Sequence, residues 1–173
     1  MINAIAAVDE FWGIGREGKL LARIPEDMAY FKAKTLGKAV LMGKTTFLSL
    51  PLGLPLKQRQ NIVLSTDTSL SIEGVRVCHH LRDALLITGD NQDDLFVIGG
   101  QSVYEQCLPY CRFAYITKYR PSQGIADRFF PDLDNRHHWR VISRDNPNMA
   151  GDILFEFLVY ENTAVLPVSQ AAL

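Results

Sequence analysis

One carboxylic acid in this chain sits where an apolar wall would surround it. It is Asp27, in Ile24-Pro25-Glu26-Asp27-Met28-Ala29-Tyr30-Phe31-Lys32. Pro25 suits the first helical position, where its missing N–H is harmless, and Glu26 and Asp27 favour a first turn through the helix dipole. A helix is therefore predicted to begin here. At about 100° per residue, Ile24, Met28, Phe31 and Thr35 share one stripe, with Asp27 at its edge about 40° from Phe31. A carboxyl group against such a stripe is a candidate proton donor, because burial favours its neutral form. The competing reading is an acid that only caps the helix or offsets its dipole.

Glycines supply the second chemical signal. Gly13-Ile14-Gly15-Arg16-Glu17-Gly18 matches the dinucleotide pattern G-x-G-x-x-G. That pattern works only when its last glycine opens a helix, and here the next helix waits until Pro25. These glycines read instead as a flexible loop over a pocket. Val97-Ile98-Gly99-Gly100-Gln101-Ser102-Val103-Tyr104 is a better cradle, because a strand ends in two glycines and a helix follows at once. An ordinary tight turn is the competing reading. Met42-Gly43-Lys44-Thr45-Thr46 repeats the plan with a cation and two hydroxyls, and Ser65-Thr66 ends a third strand. Together these strand ends suit a nucleotide phosphate at the carboxyl edge of a sheet.

Other reactive residues do not assemble. His79-His80 and His137-His138 are adjacent pairs, which point apart on a strand, and no acid or cysteine completes a metal site. They read as surface histidines. Cys107 and Cys111 are interrupted by Pro109 and read as core or surface thiols.

Elements to carry these groups are visible in the hydrophobic pattern. Ile2 to Val8, Ala39 to Met42, Ile62 to Leu64 and Leu95 to Ile98 are short apolar runs that read as buried strands. Helical patterns at Pro25 to Leu36, Thr45 to Leu50, Leu81 to Thr88 and Ser102 to Leu108 alternate with them. An α/β chain with a largely parallel sheet follows. In the last third, Arg112 to Tyr119, Trp139 to Arg144 and Ile153 to Tyr160 run with little helix between, so a long-looped antiparallel hairpin should complete the sheet. Pro51 to Gln60, Gly89 to Asp94 and Pro121 to Asp127 are connections. The stretch after Asn162 carries no pattern and reads as a loose tail.

The 173 residues, 47% of them hydrophobic, suffice for one domain with a sizeable core. A net charge of −1 leaves no footprint for nucleic acid or a membrane surface. Three cysteines, an odd number, and no basic-then-apolar leader argue against a disulfide framework and secretion. The expected compartment is the cytoplasm.

At this point the chain resembles dihydrofolate reductase of the bacterial chromosomal type. The similarity runs from Met1 to about Tyr160 and rests on motifs in family order and spacing. They include Ile5-Ala6-Ala7-Val8-Asp9, Trp12-Gly13-Ile14-Gly15, Ile24 to Met28, Phe31-Lys32, Thr35-Leu36-Gly37-Lys38, Met42 to Thr46, Arg59 to Ser65, Val97 to Gly100 and Phe130-Pro131-Asp132. The resemblance implies one α/β domain over residues 1–162, with an eight-stranded, mixed and mostly parallel central sheet flanked by about four helices, closed by the antiparallel hairpin. Residues 163–173 would be a C-terminal tail. It implies an oxidoreductase of one-carbon metabolism: NADPH-dependent reduction of 7,8-dihydrofolate to 5,6,7,8-tetrahydrofolate, with hydride to C6 and a proton to N5. A monomer that binds dihydrofolate and antifolates is expected, with no metal.

By position in the motifs, Asp27 would hydrogen-bond the pterin N3 and 2-amino group and favour protonation at N5 through water. Thr117 would support it. Ile5, Ala6, Met28, Phe31, Leu50, Leu56 and Ile98 would wall the pterin and benzoyl ring. Arg59 would grip the glutamate α-carboxylate as a bidentate fork, and Tyr104 is assigned to both ligands. For NADPH, the resemblance assigns Ala7, Ile14, Gly15, Lys19 and Leu20 to the nicotinamide side and the loop over it. Gly43, Lys44, Thr45 and Thr46 go to the phosphates, and Ile98, Gly99, Gly100, Gln101, Ser102, Val103 and Tyr104 to the pyrophosphate and ribose. Leu64, Ser65, Thr66 and His79, with Lys44, would meet the adenosine and its 2′-phosphate.

Two departures from the family pattern stand out. Lys44 replaces the common arginine, keeping the charge but losing the fork, which softens the expected preference for NADPH over NADH. Ala22 stands where most relatives carry a tryptophan whose indole N–H anchors a pocket water. Two alternatives share the scaffold. They are a pyrimidine reductase of riboflavin synthesis and a nonenzymatic nucleotide-binding module. Asp27 beside Phe31 and the arginine after the proline loop favour folate.

Overall fold

The apolar run that opens the chain forms β1 (Ile2–Asp9), buried along most of its length, as befits a strand with neighbours on both sides. The computed structural model describes residues 1–87 and 94–172. The end of the helix read to Thr88 and nearly all of the Gly89 to Asp94 turn lie outside the described residues. After β1 come β2 (Gly13–Arg16), β3 (Lys19–Leu20), α1 (Pro25–Thr35), β4 (Ala39–Gly43), α2 (Lys44–Leu48), β5 (Gln60–Leu64), β6 (Val75–Cys78) and α3 (Leu81–Leu86). Then follow β7 (Leu95–Gly99), α4 (Gln101–Cys107), β8 (Phe113–Arg120), β9 (Arg128–Phe129), β10 (Trp139–Arg144), β11 (Asn148–Ala150) and β12 (Ile153–Asn162).

Eight strands lie on one path in the order β10-β12-β8-β1-β7-β4-β5-β6, and β11 is a ninth paired to β12. β1 pairs in parallel with β7 and β8, and β4 with β5 and β7, while β12 runs antiparallel to β8 and β10. The expected mixed, mostly parallel sheet with an antiparallel C-terminal hairpin is what forms. β6 was not read from the sequence. It is four residues long with Arg76 exposed in its middle, the pattern of a short edge strand.

Alternation along β1 sends Ala4 and Val8 to one face and Ile5 to the other. The first face joins Trp12, Leu41, Leu85, Val103 and Cys107 in the larger core. On the second, Ile5, Val40, Met42, Val63 and Phe96 pack under Tyr30 and Phe31 of α1. Cys107 and Cys111 are both buried as free thiols, with the Cys111 S–H donating to the Cys107 carbonyl at 3.3 Å.

Three expectations need correction. The glycine segment over the pocket is not an irregular loop. β2 and β3 form a hairpin whose two-residue turn, Glu17 and Gly18, has φ of 50° and 75°, the mirror-image geometry that follows strand twist. β2 also pairs with β9, giving a second, three-stranded sheet. Strands of two to four residues carry no readable period, so this sheet left no trace in the pattern. The helix read over Thr45 to Leu50 starts at Lys44 and stops at Leu48, because Pro51 opens a separate 3-10 turn. The tail is not loose. Leu166 donates to the Pro109 carbonyl at 2.9 Å, Arg82 donates to that of Ala172 at 3.2 Å, and Ala171 is buried in the larger core.

Candidate active site

The carboxyl ends of β1, β4, β5 and β7 open into one cleft of ≈ 1990 Å³, roofed on one side by the β2–β3 hairpin and walled on the other by α1. Every residue assigned a ligand role from the sequence lines it except Thr117. Thr117 lies buried on β8 behind the wall, where it hydrogen-bonds Asp27.

Asp27 sits on the first turn of α1, whose start is fixed by Pro25 and whose entry residue, Ile24, is buried. Only part of the residue is open to the cleft. Its surroundings raise the carboxyl pKa above the ordinary value, with desolvation as the main cause, and the Thr117 hydroxyl pulls weakly the other way. Met28 and Phe31 of the same helix line the cleft, and Met28 is 41% exposed there. The apolar stripe of α1 thus splits between core and cleft, since Ile24 and Thr35 at its two ends are buried.

Arg59 reaches the cleft from the loop between α2 and β5. Its Nε donates to Thr35 Oγ1 at 2.8 Å and one terminal nitrogen to the Lys57 carbonyl at 2.9 Å, while the guanidinium lies 5.9 Å from the Phe31 ring centre. The loop is pinned by buried Asn61. Its amide accepts from Leu56 N–H at 2.9 Å and donates to the carbonyls of Leu56 and Arg59 at 2.9 and 3.1 Å. With these bonds made, the rest of the arginine fork is left for the cleft.

Across the cleft, Gly99 and Gly100 join through a cis peptide bond at the end of β7. Gly99 has φ of 129°, which L side chains rarely adopt. A Cβ on Gly100 would stand 3.2 Å from Thr46 Oγ1, and one on Gly43 would stand 3.2 Å from the Val103 side chain. A side chain at either position would press on Val103 or Thr46, so glycine keeps the packing around this cradle relaxed. Tyr104 closes the back, its hydroxyl donating to the Ile5 carbonyl at 2.8 Å, with burial raising its pKa.

Lys44 departs from expectation. Its Nζ lies 3.0 Å from Asp67 Oδ2, so the cation meant for a phosphate already has an anionic partner. Asp67 also lines the cleft and went unnoticed in the sequence. His79 is half-buried instead of lying on the surface. Its Nδ1 is 2.9 Å from the Ser65 carbonyl. Ala22 does not line the cleft. It packs with Ala7 and Leu21 against Ile24, Tyr119 and Phe155. Among the described residues, no group of three or more His, Cys, Asp and Glu could hold a metal ion.

The hairpin roof is tethered by two acids that sequence reasoning missed. Buried Asp9 accepts from Phe11 N–H at 2.9 Å, Gly13 N–H at 2.7 Å and the Ser122 hydroxyl at 2.6 Å. Asp127 accepts from Glu17 N–H at 2.9 Å and donates its own N–H to the Gly15 carbonyl at 3.0 Å. Ser122 and Asp127 come from the connection after β8, more than a hundred residues away, so no local signal announces either tether.

The arrangement combines a carboxyl group of raised pKa in an apolar wall, a cation fork at one end and a glycine cradle with hydroxyls at the other. The family model described as dihydrofolate reductase matches residues 1–162. The dihydrofolate reductase of Bacillus subtilis (strain 168) is 35% identical over 163 residues, spanning 93% of this chain and 94% of the relative. That of Neisseria gonorrhoeae is 35% identical over 160 residues, spanning 92% and 96%. Among solved structures, dihydrofolate reductase from Enterococcus faecalis, complexed with NADP(H) and RAB-propyl, has a TM-score of 0.85 at 29% identity. The match covers 94% of this chain and 96% of that one.

Proposed function

The chain belongs to the dihydrofolate reductase family, and from that premise we propose that Asp27 is the residue that controls proton delivery in its reaction. That reaction is the NADPH-dependent reduction of 7,8-dihydrofolate to 5,6,7,8-tetrahydrofolate. The observation that carries the proposal is the setting of Asp27, a carboxyl group with a raised pKa held by Thr117 in the apolar wall of the cleft.

Asp27 would hydrogen-bond the pterin N3 and 2-amino group, orient the ring against Ile5, Met28 and Phe31, and favour protonation at N5 through water. The held fork of Arg59 would bind the glutamate α-carboxylate. The other end fits the cofactor by two tests. At Gly43 and Gly100 an added Cβ would crowd Val103 and Thr46 at 3.2 Å, so glycine keeps the cradle clear, and Lys44, Thr45, Thr46, Ser65, Thr66 and His79 offer the donors that a phosphorylated nucleotide needs. Bound there, NADPH supplies the hydride for C6 of the pterin. Gln101 and Tyr104 flank the cradle and fix its position: Gln101 Oε1 accepts from Phe129 N–H at 2.9 Å, which ties α4 to the hairpin sheet.

A single-turnover pH series tests the assignment. A raised pKa keeps Asp27 protonated to higher pH than a free carboxyl group, so the wild-type hydride-transfer rate is expected to fall as pH rises through that pKa. Asp27→Asn is expected to lose at least about a hundredfold at neutral pH and to recover in acid, where dihydrofolate arrives protonated. NADP⁺ affinity is expected to be unchanged. Wild-type rates at neutral pH in Asp27→Asn would remove Asp27 from the chemistry.

The same reading makes residues 1–162 the catalytic domain of a cytoplasmic monomer that acts on small molecules. A net charge of −1 offers no electrostatic footprint for nucleic acid or a membrane surface, and no helix among the described residues is long and apolar enough to cross a membrane. Arg59 and the Asp27 wall favour folate over the ribosylamino-pyrimidine phosphate of the riboflavin-pathway alternative.

A further inference from the structure

We propose that Asp67 sets the cofactor selectivity of this enzyme, lowering its discrimination between an adenosine 2′-phosphate and a free 2′-hydroxyl. The proposal rests on the NADPH reading above and deepens it.

Lys44 follows β4 directly, and Asp67 lies just past the end of the neighbouring β5, so parallel pairing of the two strands brings both residues to one rim of the cleft. Their side chains meet at 3.0 Å while remaining 44% and 40% exposed, so both stay within reach of an arriving nucleotide. Asp67 is not a loosely held partner. Its Oδ1 accepts from the Ser69 hydroxyl at 2.6 Å and from Ser69 N–H at 3.1 Å. Its own N–H donates to Ser65 Oγ at 3.2 Å. The Asp67 carboxylate therefore already engages Lys44, the cation best suited to a 2′-phosphate, while the Ser65 hydroxyl accepts from the Asp67 main chain and keeps its own proton to donate.

That acid stays ionised around neutral pH. The Ser69 hydroxyl and then Lys44 hold its pKa down to about 2. An incoming 2′-phosphate, carrying about −1.5 to −2 charges, has to share or displace the Lys44 partner and sit beside a like charge. A 2′-hydroxyl instead finds an acceptor, the same chemistry by which an acid holds ribose hydroxyls in dinucleotide-binding folds. A lysine sharpens the effect, since one ammonium cannot present a second parallel face to the phosphate as a guanidinium does.

Calorimetric titration of NADP⁺ and NAD⁺ into the wild type, Asp67→Asn and Asp67→Glu tests the proposal without turnover, with dihydrofolate titrated separately. Removing one charge at this range is expected to raise the NADP⁺ over NAD⁺ affinity ratio at least about fivefold at low salt, with the gain shrinking as salt rises. Asp67→Glu is expected to keep a ratio near that of the wild type. A ratio unchanged within about twofold in Asp67→Asn would overturn the proposal while leaving the cofactor site in place. A falling ratio would overturn it too, and would make Asp67 a residue that positions Lys44 for the phosphate. If neither nucleotide bound the wild type while dihydrofolate did, the cofactor reading of this rim would fail and the proposal with it.

Discussion

Thr35 shows how a residue without chemistry of its own sets the chemistry of another. Its hydroxyl donates to the Phe31 carbonyl at 2.8 Å and accepts from Arg59 Nε at 2.8 Å, so the last turn of α1 aims the arginine. Thr35→Val keeps the shape and removes the acceptor. A hydrogen bond to a charged group contributes about 1.5–3 kcal/mol, so dihydrofolate affinity is expected to fall about tenfold or more with NADP⁺ affinity unchanged, measured by titration. Equal losses for both ligands would mean that the fold has shifted and not the arginine. Asp27 and Gly99-Gly100 were legible in the sequence because an acid on an apolar stripe and glycines at a strand end are local patterns, whereas Arg59 was named only through the family resemblance, since a lone loop arginine carries no pattern of its own. Thr35, Asn61 and Asp67 were not. Thr35 and Asp67 act through partners 24 and 23 residues away, and Asn61 acts through loop geometry that only the fold defines.

At the scale of elements, the long apolar runs became strands and the Pro25 signal became a helix start at the expected residue. What failed was the reading of short pieces. β2, β3, β6, β9 and β11 have two to four residues each, and pairing partners, not side-chain periodicity, decide whether such segments are strands. The β2–β3 hairpin shows the physical cost of that dependence, because it stays over the cleft through tethers at its ends. Asp9 is the inner one, buried and accepting from two backbone N–H groups and a serine. Asp9→Ala would leave buried donors without acceptors, and unfolding in urea is expected to show a loss of about 2–4 kcal/mol. A loss below about 0.5 kcal/mol would mean that water reaches those donors and that the hairpin is held elsewhere.

The whole molecule is larger than its recognisable motifs. Family resemblance ends near residue 160, yet the chain continues across the surface. Thr163 donates twice to the His138 carbonyl, at 2.8 Å through its N–H and 3.0 Å through its hydroxyl, and Ala172 lines the cleft. This docking was illegible because it depends on one small buried residue, Ala171, and on main-chain bonds that any sequence could make. Truncation after Asn162 is expected to cost about 1–3 kcal/mol, the range for losing a few buried contacts, read as a lower thermal midpoint with NADP⁺ absent. An unchanged midpoint would show that the tail contributes nothing to folding.

The aromatic packing also decides how this enzyme can be watched. The chain has two tryptophans, both 6% exposed. Trp12 stacks on Phe130 at 6.0 Å between ring centres, and Phe130 meets Tyr104 at 4.6 Å. The Tyr104 ring in turn borders Gly99. One indole is thus linked by ring contacts to the nucleotide cradle, whereas the other, Trp139, lies in the larger core and neither tryptophan lines the cleft. Ultraviolet emission from the native protein is therefore expected to respond to nucleotide occupancy through Trp12, a fluorophore screened from solvent quenchers. The folate half has no such built-in lamp, and an optical signal there has to come from the ligand itself.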